Sequence, residues 1–183
     1  VWQSEYYRER HLSLEEFFAV AIALTKILAE LYQNRVIHKD IKPSNILINP
    51  DTLEIFLIDF SIASLLPRET QQLTNPNVLE GTLAYISPEQ TGRTNRGIDY
   101  RSDFYALGVT FYQLLAGQLP FDSQDAMELV HCHIAKTPPP LGKREEAKLG
   151  KRQEAKGKRG VGTIPGMLSD IVLKLMAKTQ IGR

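Results

Sequence analysis

The residues of this 183-residue chain whose types could do chemistry gather between His38 and Asp59. The stretch opens with His38-Lys39-Asp40-Ile41-Lys42-Pro43-Ser44-Asn45. It continues through the apolar runs Ile46-Leu47-Ile48 and Phe56-Leu57-Ile58, parted by the polar turn Asn49-Pro50-Asp51-Thr52, and closes on Asp59. Short β-prone runs on either side of turn chemistry predict an antiparallel hairpin. In such a pair the start of the first strand lies beside the end of the second, roughly 4.8 Å away. Asn45 and Asp59 are therefore expected to project from one end. An amide oxygen beside a carboxylate suits a hard cation such as magnesium. Asp40 and Lys42, on the loop entering that end, add a second carboxylate and a point positive charge. Together these groups could hold a metal, steady a phosphate and accept a proton.

The elements that must position this loop can be read on both sides of it. Ser13 and Glu16 form a capping-box signature, so a helix is predicted from Ser13. Leu14, Phe17, Phe18, Ala21, Leu24, Leu28 and Leu31 give it one apolar face, and Asn34 ends it. Val36 and Ile37 then lead straight into the loop, which makes the helix a rigid support for Asp40. Residues 1 to 12 have no clear period and are expected to be the frayed end of an element. After Asp59, the segment from Ser61 to Leu79 is too long for an ordinary connection and is expected to be functional or mobile.

Phe104 to Phe121 has no charged side chain, so it is expected to be a helix buried on every side. Ser102 is expected to cap its start, with Gly117 and Pro120 marking its end. Asp103 falls in its first turn, where the helix dipole favours a carboxylate. A further helix is predicted over 124–135, with Met127, Leu129, Val130 and Ile134 apolar. Its His131-Cys132-His133 run does not face a common point, and no second ligand pair completes a zinc shell. These three are expected to be surface and groove residues. A last helix, Met167 to Lys178, carries the stripe Leu168, Ile171, Val172, Leu175 and Met176.

Composition bounds the rest. A hydrophobic content of 43% lets the chain bury a core. Cys132 is the single cysteine, so no internal disulfide can form and a reducing, cytoplasmic setting is the default. No apolar run is long enough to span a membrane. The net charge of +1 hides an asymmetry, since residues 142–160 carry +5 and leave −4 for the remainder. That tract repeats itself, Gly142-Lys143-Arg144-Glu145-Glu146-Ala147-Lys148 and then Gly150-Lys151-Arg152-Gln153-Glu154-Ala155-Lys156. It offers little to bury, so 141–162 is expected to be a disordered basic insertion. Without interleaved aromatics for base stacking, it is expected to be solvated and to bind no nucleic acid.

The stretch from His38 to Ser61 resembles the catalytic loop and metal-binding turn of protein kinases, H-R-D-x-K-x-x-N followed by D-F-G. Here these read as His38-Lys39-Asp40 through Asn45, and Asp59-Phe60-Ser61. The resemblance covers almost everything from Ser13 to Arg183 except the repeat. It implies an α+β fold, mainly helical with a small β-hairpin: the large lobe of a Ser/Thr protein kinase. Residues 38–45 would be the catalytic loop and 59–89 the activation segment, ending at Ser87-Pro88-Glu89 in place of A-P-E. The chain has no G-x-G-x-x-G and only 37 residues before His38, so the small nucleotide-clamping lobe is expected to be missing, as are the family's final helices.

By the same resemblance, Asp40 would be the base and Lys42 would steady the transferring phosphoryl of ATP. Asn45 and Asp59 would hold magnesium. Thr82 would bridge Asp40 and Lys42, the mark of Ser and Thr acceptors; the alternative is that Thr82 is only a turn residue. Asp103 would accept hydrogen bonds from the catalytic-loop backbone, and Glu89 would pair with Arg183. Two positions depart from the pattern: Lys39 stands for arginine and lacks its bidentate fork, and Ser61 stands for glycine, which is expected to narrow the freedom of the turn carrying Asp59. The wording around Asp59, over Gly81 to Gln90 and over Asp99 to Phe121 is most similar to kinase-like domains heading large bacterial sensor histidine kinases. That implies covalently linked ATPase, GAF and histidine-kinase modules, with a protein substrate. The rival expectation is a non-catalytic, pseudokinase-like module or truncated remnant that docks partners through the groove around 124–135.

Overall fold

The computed structural model describes residues 12–66, 81–142 and 164–178. Helix α1 (Leu14–Gln33) starts on the reciprocal box: Ser13 Oγ accepts from the Glu16 N–H at 3.1 Å, and Glu16 Oε2 accepts from the Ser13 N–H at 2.8 Å. It ends at Asn34, whose N–H and amide both reach the Glu30 carbonyl. Phe17, Val20, Leu24 and Leu28 are its buried residues. Phe18, expected on that face, is instead 45% exposed. The spacing explains it: 17, 20, 24 and 28 form one stripe, and position 18 lies about 100° around the helix from 17.

Two small antiparallel ladders follow. Strand β1 (Val36–Ile37) leads straight into the loop, as expected. It pairs with β4 (Ser64–Leu65), Val36 opposite Leu65 and Ile37 opposite Ser64. Strands β2 (Ile46–Ile48) and β3 (Ile55–Leu57) form the expected hairpin, with Ile46 opposite Leu57 and Ile48 opposite Ile55. In its turn the Asn49 side chain accepts from the Asp51 N–H, and Asn49 C=O accepts from the Leu53 N–H. The second ladder strand thus starts one residue earlier than its apolar run suggests, at Ile55.

Helix α2 (Tyr100–Ala116) is the centre of the core and packs against α1, β1 and α4. Its cap is Asp99, which accepts from the Arg101 N–H, and not Ser102. Ser102 lies one turn inside and donates its Oγ–H to Glu89 Oε1 at 2.9 Å. Gly117 closes the helix at φ 72°, the left-handed conformation glycine adopts without strain. Helix α3 (Ala126–Ala135) is capped by Asp125. Helix α4 (Gly166–Leu175) buries Leu168 and Val172, followed by Met176, while Ile171 of the expected stripe is exposed.

Gly108 lets α2 and the C-terminal end of α4 approach closely. A Cβ there would stand 2.8 Å from Met176 Cγ and 2.9 Å from Leu175 Cβ. Gly108→Val is expected to lower stability by about 1–3 kcal/mol through overpacking, measured as a shift in the denaturant midpoint at unchanged slope. Leu141, the first residue of the expected insertion, is buried and donates its N–H to Ser169 Oγ. Residues 143–162 of that tract lie outside the described residues, as do 1–11, residues 67–80 of the expected activation segment, and Arg183. Among the described residues no helix is long and apolar enough to cross a membrane.

Candidate functional site

The loop after β1 is held by a buried carboxylate. Asp103, at the start of α2, accepts the His38 N–H on Oδ2 and the Lys39 N–H on Oδ1, both at 2.8 Å. Lys39 sits at φ 70°, a conformation that costs a non-glycine residue and persists only where its surroundings fix it. Burial pushes the Asp103 carboxyl up to about 6, against the pull of the two N–H groups. His38 is fully buried. Its Nδ1 lies 3.3 Å from the Asp40 N–H that donates to it, and its Nε2 lies 3.1 Å from the Ile58 carbonyl. An Nδ1 that accepts leaves Nε2 to carry the proton, so the ring is neutral and ties the loop to the far end of β3. Burial also holds its pKa below the ordinary histidine range, and its ring meets Phe60 edge-on, centroids 4.6 Å apart.

Asp40 collects four donors. Oδ2 accepts from Lys42 Nζ at 2.6 Å and from Asn45 Nδ2 at 3.0 Å; Oδ1 accepts from the Thr82 N–H at 3.1 Å and from Thr82 Oγ1 at 2.9 Å. Lys42 Nζ also donates to Thr82 Oγ1 at 2.6 Å. Burial works to raise the Asp40 carboxyl, but the hydrogen bonds and charge of Lys42 and the bonds from Thr82 outweigh it and leave it below the ordinary carboxylate value. Thr82 therefore does more than shape a turn.

Asn45 ends the short 3-10 turn Pro43–Asn45, and its carbonyl accepts the Ile58 N–H at 2.9 Å. That bond extends the β2–β3 ladder by one pair and sets Asp59 one residue beyond it, at the same end of the hairpin as Asn45. Asp59 is exposed. Hydrogen bonds from Ser61, side chain and backbone, hold its carboxyl below the ordinary value, and it feels the charges of Asp40 and Lys42. The left-handed residue of this turn is Asp59 itself, at φ 65°. Ser61 carries no positive φ, so serine costs nothing there that glycine would have saved.

The structure thus joins Asp40, Lys42, Asn45 and Thr82 by direct hydrogen bonds, with Asp59 beside them and His38 and Asp103 behind. Glu89 is buried and bonded to Ser102 from the base of α2. Sequence reasoning missed Gln90, Gln113 and Tyr85. Tyr85 donates to Gln113 Oε1 at 2.6 Å, fastening the segment after Thr82 to α2; the apolar, uncharged run from Phe104 onward gave no sign of this polar contact. It also misplaced two residues of the His131-Cys132-His133 run. Cys132 and His133 are buried, not on the surface. His133 Nδ1 lies 2.9 Å from the Tyr105 hydroxyl, which also accepts from Lys178 Nζ at 2.9 Å. Burial and the Lys178 charge bring His133 down to about 4, so it is neutral near pH 7.

The fold and this loop are those of the protein kinase domain family. The family model described as "Protein kinase domain" matches residues 3–178, and the chain belongs to that family. Its curated relatives include the serine/threonine-protein kinase PrkC of Bacillus subtilis, 34% identical over 87% of this chain and 22% of the relative. The serine/threonine-protein kinase pkn3 of Myxococcus xanthus is 33% identical over 80% of this chain and 28% of the relative. The hybrid signal transduction histidine kinase G of Dictyostelium discoideum is 30% identical over 92% of this chain and 6% of the relative. The chain therefore spans less than a third of each of these proteins.

Proposed function

We propose that these residues are the large lobe of a Ser/Thr protein kinase and transfer the γ-phosphoryl of ATP to a protein hydroxyl, with the phosphate-covering small lobe supplied by sequence outside this stretch. The observation that carries the reading is the Lys42 ammonium, 2.6 Å from both Asp40 Oδ2 and Thr82 Oγ1. It holds a base, a cation and the Thr82 hydroxyl of residues 81–90, the segment proposed to dock the protein substrate, in one rigid group. This placement serves a reaction whose demands are chiefly position and charge compensation.

The donor set fits magnesium. Both hydrogen bonds of the Asn45 side chain are donated by Nδ2, which leaves its oxygen as the end for a ligand, and Asp59 offers an exposed ionised carboxylate. Two such oxygens, with phosphate and water completing the shell, suit a hard octahedral ion. When bound there, it would neutralise charge on the phosphate oxygens.

All four acceptor positions of Asp40 are filled, so an incoming hydroxyl must displace one donor. Thr82 Oγ1–H can turn away most cheaply, because that oxygen keeps its bond from Lys42. Asp40 then receives the acceptor's proton as its oxygen bonds the γ-phosphorus and the bridging bond breaks to release ADP. Lys42, freed in part, faces the transferring group.

The likeness to a hybrid histidine kinase across 92% of this chain and 6% of that protein supports a place within a longer signalling protein. The test of the kinase reading is incubation with radiolabelled ATP, magnesium and a generic acceptor protein, followed by acid hydrolysis. Label on Ser and Thr is expected. Label confined to Tyr would overturn the acceptor class, and no label from a protein that retains its fold would favour the non-catalytic docking module.

A further inference from the structure

Gln90 spends both ends of its amide inside the protein. It is buried, 5% exposed. Its Oε1 accepts from the Ser87 N–H at 3.1 Å and from the Ser87 hydroxyl at 2.9 Å, while its Nε2 donates to the Lys39 carbonyl at 2.8 Å. Lys39 is the left-handed residue immediately before Asp40. Its N–H is held from one side by Asp103, and its C=O is held from the other by Gln90. The two peptides that flank the Lys39 Cα are thus each gripped, one by α2 and the other, which leads into Asp40, by the segment that follows Thr82.

The same point is crowded from a third direction. Gly81 stands at φ 97°, and a Cβ there would lie 3.3 Å from the Lys39 carbonyl and 3.5 Å from Gln90 Nε2. The chain entering Thr82 passes over the Lys39–Gln90 bond with room for a hydrogen and little else. Thr82, next along, donates its N–H to Asp40. Residues 81–90 therefore form a closed circuit with the catalytic loop: Gly81 over the Lys39 carbonyl, Thr82 on Asp40, Ser87 on Gln90, and Gln90 back to Lys39.

We propose that Gln90 is a positioning residue for the transfer reaction, coupling the placement of the docking segment at Ser87 to the orientation of Asp40 through the Lys39 carbonyl. This rests on the kinase reading above. A segment lifted away at Ser87 withdraws the Gln90 donor, releases the Lys39 peptide, and turns Asp40 from the acceptor. The base is then aligned only when the docking segment is seated. A mis-set base of this kind costs rate and leaves nucleotide affinity alone, because Gln90 touches neither the ATP-facing Asn45 nor Asp59.

Gln90→Glu isolates the claim. The introduced carboxylate keeps the shape and can still accept from Ser87, but it has no donor for the Lys39 carbonyl. In the full chain, kcat is expected to fall roughly ten- to a hundredfold, the order that misplacement of reacting groups produces, with KM for ATP within about twofold. The pH profile gives the second readout. Protonating the introduced acid restores an O–H donor toward Lys39, so the ratio of variant to wild-type kcat should rise as pH falls. Hydrogen exchange of the Asp40 and Thr82 amides supplies a third that needs no activity, and both should exchange faster in the variant. Unchanged kcat and unchanged exchange would overturn the proposal, as would a loss of kcat that tracks only a lowered melting temperature. If the wild type transfers no phosphate, the kinase reading fails and the exchange measurement still decides whether Gln90 couples the two segments.

Discussion

Asp40→Asn is expected to lower phosphoryl transfer by about 10²–10⁴-fold, the range spanned by a positioned acid or base, while ATP binding persists. The reasoning begins with the partners of this carboxylate. Lys42 Nζ, Asn45 Nδ2 and both Thr82 groups donate to it. An amide in its place must turn an NH₂ toward one of those donors, and it cannot take a proton from a substrate hydroxyl. The wild-type carboxyl lies below its ordinary value, which makes it a weak base. A weak base suits a loose transition state, in which the acceptor hydroxyl keeps its proton until late and the carboxylate chiefly orients it. The measurement is initial rate with radiolabelled ATP beside ATP binding by calorimetry and thermal unfolding. A fall in rate with binding and melting temperature preserved fits the assignment. Full activity in Asp40→Asn would remove Asp40 from the chemistry.

The hairpin, the capped α1 and the core face of α2 were legible in the sequence because each is a local pattern: two short apolar runs about a turn, a reciprocal cap, a stretch from Phe104 to Phe121 without charge. So was the arrival of Asp40, Asn45 and Asp59 at one end, since pairing Ile46 with Leu57 leaves little choice. What escaped had no local signature. Two-residue strands such as Val36–Ile37 and Ser64–Leu65 show no periodicity, and their pairing spans the whole catalytic stretch. Ser102 reads as a cap, yet Asp99, three residues earlier, offers a carboxylate that reaches the Arg101 N–H, and the stronger acceptor sets the start of the helix. The burial of His133 and the double engagement of Gln90 depend on a side chain 28 residues away and a backbone carbonyl 51 residues away. The pairing expected between Glu89 and Arg183 lies outside the described residues.

Asp103 carries the second large expectation, and its sign runs opposite to that of an ordinary ion-paired acid. Burial lifts its carboxyl from 3.8 to about 6 in the folded protein. Between those values the native state binds a proton that the unfolded chain does not, so stability falls as pH rises through this window. Its contribution is fully present below about pH 4 and lost above about pH 6. Two units correspond to about 3 kcal/mol. Urea denaturation of wild type and Asp103→Asn at about pH 4 and about pH 7 should show the wild-type advantage shrinking by up to that amount. An advantage that instead grows with pH would mean that the His38 and Lys39 N–H groups outweigh burial. Activity should move the other way over the same interval. Protonation turns one carboxyl oxygen into a donor, which sets an O–H against the backbone N–H of His38 or Lys39 and loosens the stretch of loop that leads to Asp40. Asp40 and Asp59 are held below their ordinary values, so among the carboxylates of the site the loss of transfer near pH 6 belongs to Asp103. A kinase that grows more stable and less active as it is acidified would separate the anchor from the base it holds.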